Sequence, residues 1–275
     1  MKLELSTHIA NYLNQPGVLW DVALTEHLVS TKIEDISLIY SEGYSLTSCL
    51  SDKYDKKEIS HPIPENKIRM VEPSAELNYF YEEHGLEILQ IDDPSQIGLK
   101  ISKSFAMIEM VTSIKDFVQC IVKSVQILKA DDPETDVSYS HPKIPFSIFF
   151  SICEEVSEIS DLRIAESILH ESMHLLLTLI EEVVPMINSG STAVYYSPWR
   201  QEERPVRGVL HGAFVFKAIS DFYNLLALKI NNNITREYIT KRQHQISNEL
   251  YAIKDFYSSS GLTEKGKHLS VKLLQ

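Results

Sequence analysis

A chain of 275 residues with 44% apolar and 23% charged residues has the make-up of an ordinary globular protein long enough to bury a sizeable core. Its net charge of −12 makes nucleic acid and anionic membrane surfaces poor partners. No run of about 18 apolar residues suggests a membrane span, and the N-terminus lacks the pattern of a secretory signal. Cys49, Cys120 and Cys153 are odd in number and widely spaced, so neither a disulfide framework nor a zinc knuckle is expected, and the cytoplasm is the expected compartment.

In chain order, Leu13, Val18, Leu19, Val22, Leu24 and Leu28 predict one or two short helices ending near Thr31. Residues 51–66, charged and holding Pro62 and Pro64, predict a surface loop. Helical spacing runs from Ser74 to Gln90, and Ile97–Ile101 reads as a short strand. Apolar residues from Met107 to Leu128 predict one long amphipathic helix over 104–129, followed by a loop over 131–142. The segment IPFSIFFSI, 144–152, predicts a buried strand. A helix capped by Ser160 or Asp161 is expected over 162–184, stopped by Pro185. A turn-rich stretch follows, then helices over 207–230 and 235–258. The fold class is therefore α+β: mainly helical, with a small sheet and a strand beside the 162–184 helix, as in zincins. Two segments are expected, a helical one with a surface loop over 1–70 packed on a mainly helical catalytic domain over 71–275.

The 162–184 helix is apolar over most of its surface, so polar residues within it need a reason. Ser167, His170, Glu171, His174 and Thr178 form one stripe at i, i+3, i+4 spacing, which predicts a polar cavity. His170 and His174 stand one turn apart and can share a metal ion, with Glu171 beside it. A third ligand must come from elsewhere. The glycine and histidine of the longer HExxHxxGxxH pattern are replaced by Leu177 and Ile180. His211, between Gly208 and Gly212, is the leading candidate, with Glu202 or Glu203 as the carboxylate alternative. Arg200, Arg204 and Arg207 could bind a carboxylate with bidentate forks or simply pair with neighbouring acids. Tyr195 and Tyr196 are candidates to line the cavity or to pack.

HExxH at 170–174 followed by WR…RP..G..HG.F at 199–214 resembles the HExxH-motif proteins encoded beside ribosomally synthesised, post-translationally modified peptides. The resemblance is local to about a third of the chain, and residues 1–100 have no part in it. It implies Fe(II) and 2-oxoglutarate as cofactors and hydroxylation of a β-carbon in a precursor peptide. It further implies His170, His174 and His211 as iron ligands, and Arg204 or Arg200 as partner of the cosubstrate's far carboxylate. Glu171 would then orient its neighbours or shuttle a proton. The alternative is a zinc peptidase in which Glu171 is the general base; a third possibility is a peptide-binding protein with a vestigial site.

Overall fold

A computed structural model describes residues 2–39, 60–73, 77–130, 132, 135–153 and 155–274. The chain is α+β, mainly helical with one five-stranded mixed sheet and one two-stranded hairpin. By packing it divides into two units: Met1–Leu28 with Leu176–Gln275, and Val29–Leu175. This cut differs from the one drawn at residue 70, and it passes inside two helices.

In the Val29–Leu175 unit the sheet order is β1-β2-β3-β5-β4, with β1 Ser60–Pro62, β2 Arg69–Val71, β3 Ser124–Leu128, β4 Ser138–Ser140 and β5 Ser147–Ser151. β3 and β5 are parallel at the centre and every one of their residues is buried. A central parallel strand covered on both faces reads as a continuous apolar run, which is why the 144–152 expectation holds for β5. β4 pairs antiparallel with β5 at the sheet's edge, in the register Ser138↔Phe150, Tyr139↔Phe149 and Ser140↔Ile148. Strand alternation therefore puts Ser138 and Ser140 on one face and Tyr139 on the other. On the Tyr139 face, Phe80, Tyr81, Leu128, Ile144 and Phe149 form a core, and Tyr81 donates to Gln126 Oε1 at 2.7 Å.

Several expected elements are corrected here. The long helix over 104–129 is instead the end of α4 (Pro94–Glu109), α5 (Thr112–Ile121) and β3. Val122 turns extended after α5, and the β-branched run Val122, Val125, Ile127 favours the pleated sheet over a third helical turn. The expected strand at 97–101 lies within α4. Its start is set by Pro94 at the first turn and by Asp93, whose side chain accepts from the Ser95 and Gln96 N–H groups. The helix expected over 74–90 shrinks to α3 (Asn78–Glu83), beyond which Gly85 takes a left-handed φ of 63°; residues 74–76 lie outside the described ones. Of the loop expected over 51–66, residues 51–59 lie outside the described ones and Ser60–Pro62 is strand β1. β4 occupies part of the loop expected over 131–142.

In the other unit, α1 (Lys2–Asn14) and the start of α2 (Val22–Ile39) are joined by a link whose Leu19 and Trp20 are buried. There Tyr12 donates its hydroxyl to Leu19 O at 2.8 Å, and the Asp21 side chain caps α2 by accepting from Leu24 N. α7 (Val206–Ala227) buries a broad apolar face that includes Leu210, Phe214, Ile219 and Phe222. α8 (Asn233–Ala252) and α9 (Glu264–Leu274) pack on it. The expected 235–258 helix ends at Ala252, and α9 was not foreseen. β6 (Val194–Ser197) and β7 (Glu202–Pro205) form a hairpin within the stretch read as turns. Among the described residues, no helix is long and apolar enough to cross a membrane.

Candidate metal centre

α6 spans Glu158–Val183. Its cap is Ser157, not Ser160 or Asp161: Ser160 N donates to Ser157 Oγ and Ser157 N donates back to Ser160 Oγ, both at 3.1 Å. This is the reciprocal arrangement of a capping box with serine at the third position. Along the helix the partly open positions are Arg163, Glu166, His170, His174, Thr178 and Glu181, separated by three or four residues throughout. Between the helix ends they make one stripe on an otherwise buried helix; of the stripe expected from the sequence it holds His170, His174 and Thr178, whereas Ser167 and Glu171 are buried.

His170 and His174 meet on that stripe. Their Nε2 atoms are 3.1 Å apart and their ring centroids 4.8 Å apart, the planes inclined at 67°. The two distances test whether one ion fits. An ion about 2.05 Å from each Nε2 would make an angle of about 98° at the metal. Extending each bond about 1.15 Å further to the ring centre reproduces a centroid separation of about 4.8 Å at that angle. As the rings stand, the two Nε2 atoms are within N–H···N hydrogen-bonding distance of each other, and the same separations would let both imidazoles reach one cation placed between them.

Glu171 is 3% exposed and is held from the sheet. Ser138 Oγ donates to its Oε1 and Ser140 Oγ to its Oε2, each at 2.6 Å. Its Oε1 lies 3.8 Å from His170 Nε2, too far for a hydrogen bond. The strand that reaches this glutamate is β4, the edge strand hidden in an expected loop. Neither serine was singled out from the sequence.

The other expected site residues belong to the unit formed by Met1–Leu28 and Leu176–Gln275. His211 is 6% exposed, with Nε2 3.0 Å from Glu181 Oε2, while Arg207 donates to the same oxygen at 2.8 Å. Burial pushes the His211 pKa down, against the pull of Glu181; burial alone would raise Glu181, but His211 and Arg207 hold it below the usual carboxylate range. Arg204 is exposed on β7 and pairs with Glu202 at 3.0 Å, the local alternative weighed for it; Arg200 and Glu203 are exposed. Among the described residues, no group of three or more His, Cys, Asp or Glu side chains is placed to hold an ion.

The glycines of the second motif divide. A Cβ on Gly212 would come within 2.6 Å of the Trp199 ring, so the absent side chain admits the indole, which stacks on Phe216 at 5.1 Å. A Cβ on Gly208 would meet nothing closer than 3.9 Å. Trp199 and Gly212 are thus partners in packing. Tyr195 packs edge-on against Phe256 at 5.1 Å, and Tyr196 is half exposed.

No family model matches the chain, and no curated protein does.

Proposed function

We propose that this chain is an Fe(II)/2-oxoglutarate-dependent oxygenase that hydroxylates a β-carbon in a ribosomally made peptide. The observation that carries the reading is the close approach of the His170 and His174 rings, with Nε2 atoms 3.1 Å apart, on the partly open side of a buried helix. The choice of cation and substrate rests on the two sequence motifs. Iron and 2-oxoglutarate, with O₂ as the oxidant, would supply the chemistry to replace a C–H bond by C–OH, one oxygen atom of O₂ entering the peptide and the other the succinate formed as 2-oxoglutarate loses CO₂.

The chain's own residues divide the remaining work. His170 and His174 stand on one buried helix, so their spacing does not depend on a loop. Glu171 carries a charge beside them and is itself held. His211 as third ligand, and Arg204 or Arg200 as the cosubstrate's partner, are assignments from the motif alone.

The second reading, a zinc peptidase, requires Glu171 to take a proton from water. Both oxygens of Glu171 already accept serine hydroxyls in a buried setting, which favours a positioning role over that of a base. The two readings part in one assay. After anaerobic purification, Fe(II) should drive succinate release from 2-oxoglutarate, and a peptide substrate should gain one oxygen. Zinc-dependent shortening of peptides with no iron-dependent succinate would replace this reading by the second.

A further inference from the structure

We propose that Ser138 and Ser140 are positioning residues for the His170–His174 pair, acting through Glu171. The inference rests on the reading that the pair holds a divalent cation; it does not depend on that cation being iron.

Residues two apart on a strand point the same way, about 6.6 Å from each other, while the two oxygens of a carboxylate are separated by roughly a third of that. Hydroxyls at such positions bracket a carboxylate placed between them, each facing its own oxygen. That is the arrangement here: Ser138 serves Oε1 and Ser140 serves Oε2, both at 2.6 Å. Serine hydroxyls bonded this way act as donors, so the bracket suits the ionised acceptor. A buried charge without such partners would be costly. The bracket also fixes where the charge stands, 3.8 Å from His170 Nε2. A negative charge there favours a dication held between the two imidazoles.

The bracket depends on register. β4 is an edge strand pairing only with β5, and a slip of one residue would turn Tyr139 toward Glu171 in place of both serines. Loss of a group that fixes the surroundings of a metal's ligands commonly changes metal affinity by 10- to 100-fold.

The test is a Co(II) titration of the full chain, followed by visible absorption and by competition with a chelator. Wild-type protein should bind one Co(II). Glu171→Gln, and the pair Ser138→Ala with Ser140→Ala, should each raise the Kd by about 10- to 100-fold. Ser138→Thr with Ser140→Thr, which keeps both hydroxyls on residues suited to a strand, should restore it to within a few-fold. If the alanine pair does not fold by circular dichroism, Glu171→Gln decides, because its amide keeps the shape and removes the charge. Wild-type Kd in Glu171→Gln and in a folded alanine pair would overturn the bracket while leaving the metal pair intact. No Co(II) on wild type would overturn both.

Discussion

His141, at the end of β4, sits where a second positive charge is unwelcome. Its ring centroid is 4.6 Å from that of His84 and 5.4 Å from that of Phe80, and its Nδ1 accepts the Lys143 backbone N–H at 3.1 Å. Burial is the largest influence on its pKa, followed by His84 and the Lys143 charge, all three downward; Glu83 pulls the other way and the net shift is down. His84 Nε2 is itself buried without a hydrogen-bond partner, with Glu83 Oε2 3.9 Å away, and the Tyr139 ring stacks beside His141. With the folded pKa below the unfolded value near 6.5, the unfolded chain binds the proton more readily. The stability contributed by neutral His141 is therefore complete above about pH 6.5 and is lost as the pH falls through that value toward the folded pKa. Urea midpoints should drop between pH 7.5 and 5, and less steeply in His141→Gln. Parallel pH slopes for the two proteins would refute this. The same neighbourhood shows what one sequence can disclose about a site. His170, Glu171 and His174 are legible because helical spacing alone puts them together. Ser138 and Ser140 reach Glu171 across 33 and 31 residues of chain, and nothing local in Val-Ser-Tyr-Ser marks a strand of three residues.

Elements were legible where one signal dominated. α6 and α7 have long apolar surfaces and clear stops, and β5 is an uninterrupted Ile/Phe run. Where two signals overlapped, the longer periodicity misled: the spacing of apolar residues continues from α5 into β3, and only the β-branched side chains after Ile121 mark the change. Starts were missed for a related reason. Serine at 157 lies five residues ahead of the expected beginning of α6, before the acidic pair Glu158 and Asp161 that favours the helix's positive end. The capping geometry assigns a direct role to that serine. Ser157→Ala should lower stability by about 1 kcal/mol, as removal of a serine cap commonly does, read as a shift in the urea midpoint at constant slope. Ser157→Asp should keep most of it, since aspartate caps as well and meets the helix dipole favourably. An unchanged midpoint in Ser157→Ala would mean that Ser160, bonded to Glu155 O and Ser157 O, holds the turn without it.

At the scale of the whole molecule, a net charge of −12 draws divalent cations without regard to any site, so stabilisation by metal identifies the pair only if it depends on the pair. An ion that binds the folded chain alone stabilises it by mass action, about 2.7 kcal/mol at a hundredfold excess over its Kd. For folding units of 150 to 250 residues each kcal/mol moves Tm by about 2–4 °C, so a rise of roughly 5–10 °C is expected on adding Co(II) to wild type. In His170→Ala with His174→Ala that rise should vanish, while any small shift from diffuse binding persists in both proteins and falls with added salt. The chain divides at Leu175–Leu176, within α6, and both histidines lie on the Val29–Leu175 side. If the two units melt separately, the transition of that unit is the one that should move. Equal rises in wild type and the double variant would place the cation elsewhere and remove the metal from His170 and His174.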